Sequence, residues 1–328
     1  MLLLKTKLIL QQIRLITINN ILRKANSILA SKMNQARMLK LVRSCKPNLD
    51  GKSHKGQAGR IGIIGGSLEY TGAPYFAGIS ALRVGADLVH IFCTSSASVV
   101  IKSYSPELIV HPLLDTPNAV SDISPWLDRL HAIVIGPGLG REEKTFKVVS
   151  ELIHIIRHKH IPLVIDADGL FLITEKPELL QNFSSPVILT PNKIEYERLI
   201  AKMEPSKSPC QIGTNVSVLK KGPIDELYCN NSDLQWQSGK GGSGRRCGGQ
   251  GDLLSGSIAT FLSWTLANVD KLEDNSDDAS LASSLACYAA SMLIRQCNEK
   301  AFINKGRSML ASDMIEHIHE VFEDLFGP

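Results

Sequence analysis

The segment Arg60-Ile61-Gly62-Ile63-Ile64-Gly65-Gly66 establishes the pattern that decides the fold. Its β-branched residues, bounded by glycines, predict a buried strand, and the stretch from Gly72 to Gly85 predicts the helix that follows it. After Asp50 the chain repeats this alternation of short apolar runs and longer helical stretches. Such alternation predicts an α/β fold with a mostly parallel central sheet and helices on both faces.

The other elements extend this arrangement in both directions. The remaining apolar and periodic stretches predict strands at 87–93, 132–136, 162–166 and 186–190, and helices at 142–158, 251–267, 281–297 and 312–326. Two more strands, at 216–219 and 225–229, are predicted to continue the sheet as an antiparallel section.

The link between Leu199 and Val216 departs from this pattern. It contains the helix breakers Pro205, Pro209 and Gly213, so a helix of normal length is not expected within it. A parallel crossover ordinarily needs about a dozen residues or more and a covering helix. We therefore expect this short link either to leave one face of the sheet exposed or to weaken the segment that contains Lys221.

Four of the predicted strands end in glycines or polar side chains. In parallel α/β sheets, ligands bind beyond the carboxyl ends of the strands. The four strand ends are Gly65–Ser67, Gly136–Gly140, Asp166–Gly169 and Thr190–Glu195. Together they predict a ligand cleft along one edge of the sheet.

A glycine-rich run, Gly241–Gly251, leads directly into a predicted helix. Glycines let backbone amides approach an anion closely, and the helix N-terminus adds its own N–H groups, so the run predicts a phosphate cradle. Asp252 lies at the mouth of this cradle, where a carboxylate would repel a phosphate. We interpret it as a base that takes a proton from a hydroxyl attacking the phosphoryl group. A flexible linker with a helix-capping aspartate is the structural alternative.

Charge is distributed unevenly along the 328 residues. The segment Met1–Leu49 holds ten of the 36 Lys and Arg residues and no Asp or Glu, so 26 basic and 32 acidic residues remain for the rest. The absence of a basic stripe in this mildly acidic remainder argues against a nucleic-acid partner. We assign 1–49 as a basic leader and 50–328 as one folded domain.

The leader interleaves apolar and basic residues, which is typical of mitochondrial transit peptides. Lys5 and Lys7 interrupt its apolar run, which argues against a membrane-spanning helix. Met33 offers a second start that would produce a cytosolic form. We therefore expect a mitochondrial location, with a cytosolic form starting at Met33.

Seven scattered cysteines suggest neither a disulfide framework nor a zinc site. Cys247, within the glycine-rich run, is interpreted as a small filler and not as a nucleophile. The acidic stretch Asp270–Asp278 is predicted to be a solvated connecting loop.

Several short motifs occur together in a specific order. They are His54–Gln57, Glu69–Tyr75, Lys102–Glu107, Gly136–Gly140, Asp166–Gly169, Thr190–Asn192 and Arg245–Asp252. Their combined order resembles the ATP-dependent NAD(P)H-hydrate dehydratases of the ribokinase-like superfamily, in their eukaryotic form, over residues 52–326. The resemblance implies a ribokinase-like three-layer fold and a carbon–oxygen lyase activity.

The implied reaction is a repair of nicotinamide nucleotides. NADH and NADPH that have been hydrated at the nicotinamide ring, in the S form called NADHX and NADPHX, are phosphorylated on the new hydroxyl at the expense of ATP. Loss of phosphate then restores the double bond, with ADP and phosphate as by-products.

The resemblance also implies roles for single residues. Asp252 is the implied catalytic base, and it contacts the hydrate. The other implied hydrate-binding residues are Gly138, Asn192, Lys193, Ile194, Glu195, Tyr196, Glu197 and Arg198. The implied ATP-binding residues are Lys221, Gly222, Pro223, Ile224, Asp225, Gly242, Ser243, Gly244, Arg245, Arg246, Cys247, Gly248, Gly249, Gln250 and Gly251. Mg²⁺ is expected with the ATP, held through water by Asn192 and Glu195, and no direct metal ligand is assigned.

Two other functions stay open at the level of sequence. One is a ribokinase-like small-molecule kinase that releases a stable phosphoester, and the other is a non-catalytic nucleotide-binding protein. The run Arg245–Asp252 favours the dehydratase over a kinase, and Asp252 argues against a non-catalytic protein. The expected partners are ATP and the hydrate, without nucleic acid or membrane, and the sequence is compatible with a homo-oligomer.

Some of these residues also have an ordinary structural alternative. Asp168 can cap the helix after its strand, Asp166 can be a turn residue, and Glu195 can be a first-turn helix acid. Tyr75 and Tyr104 can be packing residues.

Overall fold

The structure, a computed structural model, describes residues 35–51, 54–269 and 278–327. Two compact units are distinguished, residues 1–40 and 41–328, and the described part of the first, 35–40, is helical. The predicted leader and Met33 lie largely outside the described residues, as does most of the acidic stretch Asp270–Asp278. In the described part of the chain, no helix is both long enough and apolar enough to span a membrane.

The second unit is built on a nine-stranded sheet. Its strands are β1 (Arg60–Ile64), β2 (Leu88–Phe92), β3 (Ile109–His111), β4 (Ala132–Ile135), β5 (Leu163–Ile165), β6 (Val187–Leu189), β7 (Val216–Lys220), β8 (Asp225–Tyr228) and β9 (Trp236–Ser238). The strand order is β3-β2-β1-β4-β5-β6-β7-β8-β9, parallel from β3 to β7 and antiparallel from β7 to β9. From β1 the chain adds β2 and β3 toward one edge of the sheet, and from β4, which lies beside β1, it adds the later strands toward the other edge. The loops that follow β1 and β4 therefore lie side by side.

Helices cover both faces of this sheet. They are α1 (Gly72–Val84), α2 (Ser95–Tyr104), α3 (Ala119–Leu127), α4 (Glu143–His158), α5 (Ala167–Glu175), α6 (Lys193–Ala201), α7 (Gln250–Ala267), α8 (Asp278–Lys305), α9 (Ala311–Glu316) and α10 (Ile318–Phe326). The predicted three-layer α/β fold is thus confirmed. Because both faces are covered, β4 reads as an uninterrupted apolar strand in which all four residues are buried.

The two helical layers pack in different ways. On one face, α4 presents Val149, Leu152, Ile153 and Ile156, which are spaced to form one apolar stripe, to the core beneath β4 and β5. On the other face, α1 and α7 cross in close contact, because a Cβ at Gly256 would overlap the carbonyl oxygen of Ala77. Glycine at this position lets the two backbones touch.

Several predicted boundaries and one strand direction need correction. The strand at 216–219 was predicted to be antiparallel, but it corresponds to β7, which pairs in parallel with β6. The strand direction changes only at β8. The strands β3 and β9 were not predicted, since three residues are too few to show a period. The predicted helix at 312–326 is divided between α9 and α10 at His317.

The expectation that the link after Leu199 exposes a sheet face is wrong. The covering helix of this crossover is α6, which begins before the link, and the link itself adds a 3₁₀ turn, Pro209–Ile212. Cys210 and Ile212 of that turn are buried, and Val216 and Val218 of β7 are covered. The crossover between β6 and β7 is therefore complete without a further helix.

Candidate active site

Five strands deliver their carboxyl ends to one edge of the sheet. Backbone hydrogen bonds connect neighbouring ends: the Gly66 amide donates to Gly138 O at 3.1 Å, and the Asp166 amide donates to Ile135 O at 3.0 Å. At the far side, the Lys221 amide donates to Pro191 O at 2.8 Å. The four predicted strand ends thus meet at one edge of the sheet, and β7 adds Lys221 to it.

Glycines allow the loops at this edge to touch. Gly136 has a φ of 123°, and a Cβ there would overlap the carbonyl oxygen of Asp166. Gly138 has a φ of 60°, and a Cβ there would lie 2.5 Å from the carbonyl oxygen of Tyr70. Both conformations and both contacts require glycine, so the loop after β4 can lie against the segments on either side of it.

Four charged side chains converge where these loops meet α7. Lys221 Nζ donates to Asp166 Oδ1 at 2.7 Å, and the Asp166 side chain is only 2% exposed. A Cβ at Gly251, in the first turn of α7, would lie 3.1 Å from Lys221 Nζ. The next residue is Asp252, and its charge interacts with those of Lys221, Asp166 and Glu195. We call Asp166, Glu195, Lys221 and Asp252 the charged centre.

The balance of charge in this centre shifts its proton affinities. Burial and the neighbouring Asp166 carboxylate raise the pKa of Asp252 to about 8, although Lys221 opposes the rise. Burial also raises the pKa of Glu195, again against Lys221. Burial disfavours the Lys221 cation, but Asp166 and Glu195 outweigh it and hold the pKa of Lys221 above its ordinary value. Asp252 is thus a carboxyl group able to exchange a proton near neutral pH.

The helix that follows β6 fixes two more of the predicted residues. Asn192 Oδ1 accepts from the Ile194 and Glu195 amides at 2.9 and 3.0 Å, and Glu195 Oε2 accepts from the Asn192 amide at 2.8 Å. This capping box starts α6. Glu195 is therefore both a helix-capping acid and a member of the charged centre.

Two aspartates that the sequence left undecided have distinct roles. Asp166 caps α5 through the Ala167 amide at 2.9 Å while it binds Lys221. Asp168 instead holds the loop after β4, accepting from the Gly140 amide at 3.1 Å and from Arg141 Nε at 2.8 Å. Asp168 is therefore a loop-fixing residue, and Asp166 belongs to the charged centre.

The glycine-rich loop ends in a glycine with a left-handed backbone conformation that starts α7. Gly249 is the N-cap, with a φ of 92°. Earlier in the loop, Arg245 Nη1 donates to Arg246 O at 2.9 Å, and Arg246 Nη1 donates to Ser243 O at 3.0 Å. Both arginines thus shape the loop itself, while its amides lead to the N-terminus of α7.

We expect Gly249→Ala to destabilise the protein by about 1–3 kcal/mol and to weaken ATP binding. The φ of Gly249 is unfavourable for alanine, and the new methyl would lie 2.7 Å from Ala311 Cβ and 2.8 Å from Phe76 Cδ2. Gly248→Ala is the matched control, because a Cβ there meets nothing within 4 Å. Thermal unfolding and calorimetric ATP titration of both variants measure the effect; equal melting temperatures would contradict it.

Comparison with known proteins identifies the family. Residues 61–320 match the family model described as NAD(P)H-hydrate dehydratase. An ATP-dependent (S)-NAD(P)H-hydrate dehydratase of Aedes aegypti is 53% identical over 295 residues, which is 89% of this chain and 86% of the relative. The enzyme of the same name from Homo sapiens is 46% identical over 316 residues, covering 93% and 88%. The chain belongs to the NAD(P)H-hydrate dehydratase family.

Solved structures agree on the fold of this family member. A ribokinase-like superfamily protein from Enterococcus faecalis V583 matches with a TM-score of 0.68 at 18% identity, covering 88% of this chain and 95% of that one. The ADP/ATP-dependent NAD(P)H-hydrate dehydratase from Bacillus subtilis, co-crystallised with ATP/Mg²⁺, matches with a TM-score of 0.61 at 22% identity, covering 87% and 96%. The fold is therefore ribokinase-like.

The remaining residues implied by the family lie at varying distances from the charged centre. Ile194 is 68% exposed, and the Lys193 and Glu197 side chains form an exposed pair with 3.9 Å between Nζ and Oε1. Tyr196 stacks on Tyr228 at 5.9 Å between ring centroids. The structure thus brings Asn192 and Glu195 of α6 to the charged centre, whereas the other four residues face solvent or pack against β8.

Residues that sequence reasoning missed come from α8. Ser291, Arg295 and Asn298 are polar residues of a largely buried helix, and they contact both segments that the family likeness implies for ATP. Their spacing could have indicated that they act together, because residues four and three positions apart lie on the same face of a helix. A polar stripe on a buried helix needs partners, and the sequence showed the stripe without showing the partners.

The charged centre also fits the magnesium ion that the family likeness implies. Its three carboxylates exceed its one lysine, and carboxylate oxygens are the donors that Mg²⁺ prefers. In residues 35–51, 54–269 and 278–327, no set of three or more His, Cys, Asp and Glu side chains is arranged to hold a metal ion by itself. Asn192 and Glu195 therefore remain the residues predicted to hold the ion through water, where it would neutralise phosphate charge.

Proposed function

We propose that this protein dehydrates the S form of hydrated NADH and NADPH in a reaction that consumes ATP. The observation that carries the proposal is the position of Asp252. It lies in the first turn of α7, directly after the glycine-rich loop, within a partly buried centre that also contains Lys221. A base beside an anion cradle is the arrangement that phosphorylation of a hydroxyl requires. We infer the substrate from the relatives, which are named ATP-dependent (S)-NAD(P)H-hydrate dehydratase.

In the first step, Asp252 takes the proton of the hydrate's hydroxyl group. The hydroxyl oxygen then bonds to the γ-phosphorus of ATP while the bond from that phosphorus to the bridging oxygen breaks, and ADP leaves with the electron pair. With a pKa of about 8, the deprotonated form of Asp252 is a stronger base than an ordinary aspartate, and the fraction in this form increases as pH rises toward 8. The carboxyl can therefore hold the transferred proton until ADP has formed.

In the second step, the carbon–oxygen bond breaks and phosphate leaves with its electrons. Loss of a proton from the neighbouring carbon restores the ring double bond. Phosphate leaves far more readily than hydroxide, which is why ATP is consumed. Lys221 and the N-terminal amides of α7 stabilise the negative charge of the transferring group. We include Mg²⁺ in the proposal as the ion that accompanies ATP.

The test is a reaction with purified S hydrate, ATP and Mg²⁺. Absorbance of reduced nicotinamide should recover, with one ADP and one free phosphate formed for each NADH. Omission of ATP should abolish recovery, and ADP in its place tests the nucleotide preference. A stable phosphoester formed without absorbance recovery would instead identify a kinase.

We further propose that residues 1–49 direct import into mitochondria and that the catalytic domain includes 41–49 as well as 50–328, since Arg43 and Lys46 donate to Leu325 O and Phe326 O at 2.9 and 2.8 Å. The support is the acid-free, basic and apolar composition of Met1–Leu49. Fused to a fluorescent protein, this segment should carry it to mitochondria, whereas the chain starting at Met33 should stay in the cytosol. Diffuse fluorescence from the 1–49 fusion would contradict the proposal.

A further inference from the structure

A stripe of three polar residues runs along one face of α8. Ser291, Arg295 and Asn298 follow one another at intervals of four and three, so they project from the same side of the helix. Ser291 and Asn298 are buried, and the Arg295 side chain is 14% exposed. Polar groups buried to this degree need defined partners, and we call the three residues the α8 stripe.

One set of partners is the segment that follows β7. Arg295 Nη1 and Nη2 donate to Gly222 O at 3.1 Å and to Pro223 O at 2.6 Å. Arg295 also lies 3.3 Å from Asp225 Oδ2, which accepts from Ser291 Oγ at 2.7 Å. Asp225 Oδ1 in turn accepts from the Gly222 amide at 3.1 Å. The Asp225 carboxylate is thus occupied within the protein, and it shapes the turn that follows Lys221.

The other set of partners is the glycine-rich loop. Arg295 Nη2 donates to Gly241 O at 3.2 Å, and a Cβ at Gly242 would lie 3.4 Å from the same nitrogen. Asn298 Oδ1 accepts from both the amide and the hydroxyl of Ser243, each at 2.7 Å. The same guanidinium therefore holds residues of both segments, and Asn298 extends the contact into the loop.

We infer that Arg295 is a positioning residue, which sets the distance between the two segments that the family likeness implies for ATP. The inference rests on the proposed function, because only a nucleotide shared by both segments makes their spacing matter. A planar guanidinium presents five donors in a fixed fork, whereas a lysine ammonium cannot donate to the carbonyl groups of Gly222, Pro223 and Gly241 in the same geometry. Residues near Gly138 and Asn192, on the hydrate side, receive no hydrogen bond from the stripe among the described contacts.

The test compares Arg295→Met with Arg295→Lys and with a matched control, Lys300→Met. Lys300 is on the same helix and also pairs with carboxylates, but these belong to Glu320 and Asp324 of α10. Arg295→Met is expected to raise the Kd for ATP by about 10- to 100-fold, the loss expected when several charge-assisted hydrogen bonds are removed. The KM for the hydrate at saturating ATP should change by less than about twofold. Arg295→Lys should fall between wild type and Arg295→Met, and Lys300→Met should bind ATP as wild type does.

A merely structural role for Arg295 would give a different result. In that case the melting temperature would fall while the folded fraction kept its affinity for ATP, or the affinities for ATP and hydrate would fall together; either outcome overturns the inference. If Arg295→Met does not fold, Asn298→Ala decides, because apart from a weak contact with Met314 Sδ at 3.9 Å it releases only Ser243 and should raise the ATP Kd by about three- to tenfold. An unchanged Kd in that variant also overturns the inference.

Calorimetric ATP titration separates this inference from the proposed reaction. A wild-type chain that binds ATP but forms no NADH from the hydrate refutes the dehydratase and leaves the ATP-binding role of Arg295 to be decided by the variants. A wild-type chain that binds no ATP overturns both.

Discussion

Replacing Asp252 with Asn is expected to lower kcat by about 10²- to 10⁴-fold and to leave ATP binding nearly intact. The amide keeps the shape of the carboxylate but cannot accept the hydroxyl proton of the hydrate. Lys221, Asp166 and the glycine-rich loop are unchanged, so the nucleotide keeps its contacts. Single-turnover absorbance recovery and calorimetric ATP titration measure the two effects. Near-normal turnover by Asp252→Asn would remove Asp252 from the mechanism.

The stability of the Asp252→Asn variant relative to wild type should increase as pH rises. The pKa of Asp252 is about 8 in the folded chain and 3.8 in its ordinary state, so the folded state holds a proton that the unfolded state releases between these values. Wild-type stability therefore falls as pH rises through this window, and the neutral Asn variant escapes the fall. We expect its melting temperature to exceed that of wild type by more at pH 8 than at pH 5. A difference that does not change with pH would contradict a raised pKa.

Lys221→Met is expected to give the second large effect, with a loss of about 3–5 kcal/mol in stability and a fall of at least about 100-fold in kcat/KM. The substitution leaves Asp166, Glu195 and Asp252 without the cation that lies among them. The carboxylates must then take up protons or repel one another. The loss of stability should be smaller at pH 5, where protonation relieves the repulsion, than at pH 8.

The neighbouring lysine provides the control for this experiment. Lys220 pairs with Glu226 at 2.8 Å, but both side chains of this pair are about one-quarter exposed. Lys220→Met should therefore cost about 0–1 kcal/mol and leave kcat/KM unchanged. Urea unfolding and initial rates on both variants measure the difference. Equal effects would show that the position of Lys221 in the charged centre has no special importance.

The features predicted from sequence were those that depend on neighbours in the chain. The strand that precedes Gly65, the ends that carry Asp166 and Asn192, and the placement of Asp252 at a helix start all follow from local periodicity and from glycine. The covering helix α6 was not predicted as part of its crossover, because Pro205 and Pro209 indicate only that the link after it is not helical. A breaker stops a helix only where it stands, and α6 had already ended at Ala201.

The features that could not be predicted join distant parts of the chain. Lys221 and Asp166 are 55 residues apart and meet because β5, β6 and β7 are consecutive in the sheet. Arg295 of α8 donates to Gly222 O, although the two residues are 73 positions apart in the sequence. Hydrophobic periodicity places each of these residues on an element but does not say which elements pack together. The α8 stripe was therefore visible as an anomaly, while its partners required the structure.

The close crossing of α1 and α7 limits how this enzyme can adjust to its substrates. Because the Gly256 backbone contacts Ala77, a sideways shift of α7 toward α1 would make the two backbones overlap. Asp252, in the first turn of α7, is held by the same packing. Gly244 and Gly248, by contrast, stand in open space, with nothing within 4 Å of a Cβ at either position. We therefore expect any adjustment to ATP to occur in the glycine-rich loop rather than in α7.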